Sequence, residues 1–126
     1  GDHTEEVLGH LREALGDLAD HVEVEVLQDD VASSSHIETP LWDALERAVA
    51  RPFPTARINP QFIVGFTDAR VYREMGAVAY GAGLLSPRIS GGEFAQRFHG
   101  NDERIDIESL GLTTGLYHDV CMDLLG

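Results

Sequence analysis

Gly76-Ala77-Val78-Ala79-Tyr80-Gly81-Ala82-Gly83 is a run of small and apolar residues closed off by glycines. It is too short and too glycine-rich for a helix, so residues 77–82 are expected to form a short buried strand. Upstream, Thr67 or Asp68 is placed to cap a helix running to about Met75, which Gly76 stops. Downstream, Asp106 caps a closing helix with Ile107, Leu110, Tyr117, Cys121 and Leu124 at near-heptad spacing, and these are expected to face the core. Cys121 is thereby expected to be a buried structural thiol. Between Leu84 and Asn101 no periodicity emerges, and a connection of that length inside a domain is usually functional or disordered.

The N-terminal part has the same alternation of element types. Val7, Leu8, Leu11, Ala14 and Leu15 share one face of a helix over 4–15, with Asp2 and Glu5 spaced as a capping box. His21 to Leu27 then alternates, Val22, Val24 and Val26 against Glu23 and Glu25, the pattern of a half-exposed strand. The aperiodic stretch Gln28–Glu38 marks a boundary, dividing the chain into residues 1–30 and 31–126. Beyond it Thr39 and Pro40 open a helix whose apolar side is Leu41, Trp42, Leu45, Ala48 and Val49. A short extended piece follows at Phe62-Ile63-Val64. Helices alternating with strands make the expected class α/β.

The 126 residues suffice for one domain or a piece of one, exposing roughly 6,600 Å² when folded. With 43% apolar and 25% charged residues, disorder is excluded as the general state. The nine basic residues are all arginine and face 22 acids, for a net charge of −13. A Schiff-base or phosphate-loop lysine is therefore impossible, and phosphate backbones and anionic membranes would repel the chain. No apolar run approaches the roughly 20 residues of a membrane span, and Gly1–Glu6 lacks a basic leader region, so the expectation is a cytoplasmic protein with neither nucleic acid nor membrane as partner.

Chemistry-bearing motifs are sparse. There is no His-Glu-x-x-His and no Cys-x-x-Cys, and Gly81-Ala82-Gly83 is followed by Leu84-Leu85-Ser86-Pro87 in place of the third glycine of a dinucleotide fingerprint. None of His3, His10, His21, His36 and His118 lies among other potential ligands in a loop, and each is expected to be a surface or packing residue. His99 differs, ending the long connection in Phe98-His99-Gly100-Asn101-Asp102-Glu103-Arg104, where nearby acids can orient an imidazole. On spacing alone, however, the residue reads first as part of a solvated polar turn, with ligation the lesser alternative. Arg70, one turn into its helix, offers a planar fork for a carboxylate, or half of an ordinary ion pair.

The order of three segments narrows this. Gly65-Phe66-Thr67-Asp68-Ala69-Arg70, then Gly76 to Gly83, then His99-Gly100-Asn101-Asp102-Glu103-Arg104-Ile105 and the last helix together resemble the C-terminal part of the two-zinc exopeptidases and amidohydrolases, metallopeptidase family M-twenty. Glutamate carboxypeptidases, aminoacylase and succinyl-diaminopimelate desuccinylase belong to that family. The resemblance extends to Glu5–Leu27, which looks like the last helix and strand of the family's inserted α+β dimerisation domain. It implies a mixed sheet flanked by helices over 31–126, the dimerisation-domain end over 1–30, and a homodimer in the complete protein. It also implies two zinc ions, His99 as the one zinc ligand of the C-terminal half, and Arg70 facing a substrate carboxylate beside Gly65, Thr67 and Asp68.

Phe66 stands where the family commonly has a second glycine, and the family's His-x-Asp motif and Glu-Glu pair do not occur here in the right place. The general base is accordingly expected upstream, with no catalytic residue in this segment. The implied activity is hydrolysis of amide bonds in N-acyl amino acids or short peptides, with the segment inactive alone. The competing expectation is a non-catalytic binding or assembly module on a degenerate form of the same fold.

Overall fold

A computed structural model describes residues 3–30, 32–63, 65 and 67–126. The chain divides into two compact units, Gly1–Ser34 and Ser35–Gly126. Asp2 and Val64, which the sequence places in a capping box and an extended piece, lie outside the described residues.

In the first unit, helix α1 spans Thr4–Leu15. The Glu6 carboxylate accepts the His3 backbone N–H at 3.0 Å, so the reciprocal cap is centred one residue later than the Asp2–Glu5 spacing suggests. Glu5 and Glu6 in the first turn and Arg12 in the last complement the helix dipole. Gly16, at φ +53°, takes the left-handed backbone that ends α1, and a 3₁₀ turn covers Gly16–His21. Val22 starts an extended run at φ −121°, ψ 126°, and the Thr4 hydroxyl bonds the Asp29 carboxylate. None of the described residues of this unit is buried.

The second unit is built on α2 (Pro40–Ala50) and α5 (Ile107–Leu125), with α3 (Ala69–Glu74) and α4 (Gly91–Ala95) between them. Thr39 caps α2, its Oγ1 accepting the Trp42 N–H at 3.1 Å, and Pro40 fills the first turn, where a missing N–H costs nothing. The buried apolar core is Ala44, Leu45, Ala48 and Val49 of α2 with Leu116 and Val120 of α5. Ion pairs Arg47–Asp123 and Arg51–Asp119 edge this helix pair, at 2.5 and 2.7 Å, and their exposure limits what they add. Among the described residues no helix is long and apolar enough to cross a membrane.

The α/β expectation, with its mixed sheet, is corrected: the described residues contain helices and no strand. His21 closes the 3₁₀ turn, and residues 22–27 and 77–82 are not helical, yet backbone becomes a strand only when another edge offers complementary N–H and C=O groups, and none does so among the described residues. Along 79–86, side chains take the place of a neighbouring strand. The Ser35 hydroxyl accepts from Ala79 N at 3.1 Å and donates to Ala79 O at 3.3 Å. The Thr113 hydroxyl does the same for Leu84, at 3.0 and 2.9 Å. Tyr117 OH donates to Ala82 O at 2.6 Å, and Ser109 Oγ accepts from Ser86 N at 2.9 Å. Three of these four side chains come from α5, so the extended segment is pinned to a helix.

Three smaller expectations change as well. The buried residues of α5 are Leu116 and Val120, which join the α2 core, and Ser109, which bonds Ser86 and Asp106, while the near-heptad stripe Ile107, Leu110, Tyr117 and Leu124 is exposed, and Cys121 with it. The helix is apolar on two sides and α2 covers only one. The aperiodic 84–101 connection contains α4, capped by Ser90 Oγ accepting from Glu93 N at 3.2 Å. Finally, the exposed area is 10,145 Å², well above the roughly 6,600 Å² expected of a single globule of this mass.

Candidate functional site

α4 and α5 hold the loop bearing His99 by its two ends. Arg97, whose side chain is only 12% exposed, reaches back to Glu93 at 2.6 Å and across to Asp106 at 3.2 Å, tying the loop's entry to its exit. Its Nε is buried without a hydrogen-bond partner. The Phe94 and Phe98 rings pack edge to face at 4.5 Å between centroids, adding an apolar clamp on the entry side. Asp106 also caps α5: one carboxylate oxygen accepts the Ser109 N–H at 2.9 Å and the other the Ser109 hydroxyl at 2.7 Å.

Within the loop, His99 and Asp102 adopt left-handed backbone, at φ +56° and +62°. Non-glycine residues pay a conformational cost there and hold it where surroundings dictate it, often at functional positions. The His99 N–H donates to the Glu103 carboxylate at 3.1 Å, and an Arg104 guanidinium N–H donates to Asp102 O at 2.9 Å. The imidazole itself is exposed, 6.3 Å from the Phe98 ring centroid, and among the described residues neither ring nitrogen has a hydrogen-bond partner. The backbone N–H is engaged while the ring nitrogens stay accessible.

Two carboxylates beside this loop are held below their ordinary range. For Asp106 the main cause is the Ser109 hydroxyl bond, followed by the Ser109 N–H and then the Arg97 charge. For Glu108 it is the Ser86 hydroxyl, at 2.5 Å, and then Arg88, also at 2.5 Å. Groups with depressed native values bind fewer protons folded than unfolded, so stability rises with pH across this range. The contribution is present above the ordinary carboxylate value of about 4 and is lost as pH falls below it towards the native values. The carboxyl resonance of Asp106 is expected to titrate below that of an unfolded-chain aspartate, and Ser109→Ala to move its midpoint up; a midpoint unaffected by Ser109→Ala would refute the assignment.

The other predicted residues gather at the start of α3. Gly65 has φ +144°, a conformation open to glycine. Thr67 Oγ1 accepts the Ala69 N–H at 3.3 Å, Thr67 O accepts from Arg70 N at 3.1 Å, and Asp68 O accepts from Val71 N at 3.0 Å. Asp68 occupies the cap position without a side-chain cap bond. Arg70 is half-buried. Phe66 lies outside the described residues. Gly65, Thr67, Asp68 and Arg70 are thus neighbours along one turn, while His99 is carried by a separate loop, where it meets Phe98 and Glu103.

Among the described residues no three His, Cys, Asp or Glu side chains are grouped to hold a metal ion. Zinc takes four ligands at a structural site and three protein ligands at a catalytic one. An accessible imidazole on this loop could therefore supply one corner of a zinc site and no more. Sequence reasoning missed the Arg97 clamp and the Ser86–Arg88–Glu108 cluster. The i,i+4 spacing of Glu93 and Arg97 was the available signal for the first; nothing local signals the second, since Ser86 and Glu108 are brought together by tertiary packing.

A groove of about 230 Å³ opens over the core between Leu45, Val49, Ile58, Tyr80, Ala82 and Leu116, and neither His99 nor Arg70 lines it. Comparison with models of known families, with curated proteins and with solved structures finds no match for the chain.

Proposed function

We propose that this chain supplies one zinc-ligating imidazole, His99, and a carboxylate-binding arginine, Arg70, to a metal-dependent hydrolase of small amide or peptide substrates. The observation that carries the proposal is the backbone of His99, held in a left-handed conformation by a clamped loop while its ring nitrogens stay unengaged. Zinc, when bound, supplies Lewis-acid polarisation of the scissile carbonyl and acidification of a water.

His99 would hold the metal through a ring nitrogen. The Arg97–Glu93 and Arg97–Asp106 pairs keep the loop from collapsing. Arg70 receives a substrate carboxylate bidentately and so orients the amide, with Gly65, Thr67 and Asp68 shaping the turn beside it. The remaining ligands and the general base come from polypeptide outside these 126 residues. The motif order shared with family M-twenty supports this reading, and replacement of His99 in the intact parent protein, with zinc content and turnover both measured, tests it.

A second reading, a non-catalytic assembly module, is favoured by the uncovered apolar stripe of α5, where Ile107 is 90% and Leu125 84% exposed. Zinc content and turnover that are both indifferent to His99 would select it.

A further inference from the structure

We propose that the uncovered side of α5 is a homodimer interface, which pairs with the same side of a second copy of this chain, the two helices running antiparallel about a two-fold axis. The inference concerns the second unit alone. It stands apart from the zinc reading, since no residue of that site lies on α5 and a failed dimer would leave the His99 experiment untouched.

Ile107, Leu110, Thr114, Tyr117, Cys121 and Leu124 recur at alternating spacings of three and four residues, the a and d positions of a coiled-coil seam, and all six are exposed. The buried residues Ser109, Leu116 and Val120 lie on a different side of the helix. α5 thus gives one side to its own core and leaves a complete second side open. Covering that side strands no hydroxyl: Thr114 Oγ1 donates to Leu110 O at 2.8 Å, and Tyr117 OH donates to Ala82 O at 2.6 Å, which also holds the ring in place as a knob. Together with Leu125, 84% exposed, the open parts of these side chains offer roughly 700 Å² per copy, at about 150–250 Å² for a whole large side chain. A standard interface takes about 800 Å² from each partner.

Charge and volume choose the occupant. The three acids of α5 lie off the seam and each is paired within the unit, Glu108 with Arg88, Asp119 with Arg51 and Asp123 with Arg47. A charged partner therefore meets no countercharge on the seam. Two copies meet there without opposed carboxylates, and residues 35–126 hold twelve acids against eight arginines, −4 of the chain's −13. In a parallel pair identical residues face each other, so the Thr114 layer is underfilled and the Tyr117 layer crowded. An antiparallel two-fold pair sets Ile107 against Leu124, Leu110 against Cys121 and Thr114 against Tyr117, matching each small seam residue with a large one. The seam is thus complementary to itself in one orientation, as an isologous dimer requires.

Sedimentation equilibrium of the reduced chain is expected to show a monomer–dimer equilibrium with Kd of about 1–100 µM, in keeping with an interface of modest size. Because no ion pair crosses the seam, added salt is expected to leave the dimer unchanged or to tighten it by screening the net charge. Leu110→Glu, which would bury an unpaired carboxylate, is expected to raise Kd at least about 100-fold. The helical circular dichroism of the dilute, monomeric variant should be unchanged, since position 110 is open to solvent there. Disulfide capture with diamide as oxidant reads the orientation. In Leu110→Cys the introduced thiol is expected to cross-link to Cys121 of the other copy, whereas the natural chain, with its two Cys121 thiols held apart, is expected to form no covalent dimer. A chain still monomeric at about 1 mM, a dimer weakened by salt, a dimer that survives Leu110→Glu, a Cys121–Cys121 disulfide in the natural chain, or no cross-link between the introduced thiol and Cys121 would each overturn the proposal.

Discussion

His99→Ala in the intact parent protein is expected to lower amide hydrolysis by roughly 10³-fold, taking about 4 kcal/mol as the metal's share of transition-state stabilisation. The side chain has few structural duties that would confuse the result: it is exposed, its ring makes no hydrogen bond among the described residues, and the bond to Glu103 comes from its backbone. Truncation therefore removes a ligand and leaves the loop's anchors, Arg97 and Asp106, in place. Zinc content per protein should fall in parallel. Alanine also tolerates φ +56° less well than histidine, so His99→Asn, which enters that region readily, separates loss of the imidazole from backbone relaxation. Unchanged turnover with either substitution at saturating zinc would reject the assignment.

The second large effect lies in the core. Leu116 is 3% exposed and belongs to a core that, among the described residues, holds six buried apolar side chains. Leu116→Ala is expected to cost about 2–5 kcal/mol, because the cavity it leaves sits between two helices that cannot close over it without losing Leu45 and Val49 contacts. Against a usual total of about 5–15 kcal/mol this is a large fraction, and urea unfolding followed at the helical circular dichroism band should show it as a lower midpoint. Leu110→Ala, on the uncovered side of the same helix at 52% exposure, is expected to change stability by no more than about 0.5 kcal/mol. Equal effects at the two positions would contradict the placement of α5. Because Asp106 and Ser109 sit in the first turns of that helix, melting it would also release the exit of the His99 loop.

The helices were legible because their signals are local. Thr39-Pro40 and Asp106 announce two helix starts, Gly76, at φ +86°, ends a third, and the 3.6-residue spacing of Val7, Leu8, Leu11 and Leu15 identifies α1. The sheet was not, because pairing is a property of two segments. The alternation at Val22-Glu23-Val24-Glu25-Val26 reports a preference for extended backbone and a face that a partner could cover, and neither supplies the second segment that a strand needs. Ala77–Ala82 misled for a different reason: Ser35, Thr113 and Tyr117 satisfy its backbone from the side, and no periodicity foretells that. The stripe on α5 was misassigned because an apolar residue announces burial in something, without naming which side a neighbour covers; Cys121 followed the same error. At the candidate site, His99 was singled out by its place in a glycine-containing polar loop, while the Arg97 anchor depends on Asp106 nine residues on.

That the chain offers one corner of a metal site, and only one, is tested most directly by calorimetric titration of residues 1–126 with zinc, alongside the His99→Ala chain. A single imidazole cannot satisfy a tetrahedral ion, so binding is expected to be no tighter than to free imidazole. Nanomolar binding by the chain alone would contradict it, whether or not His99→Ala abolished that binding.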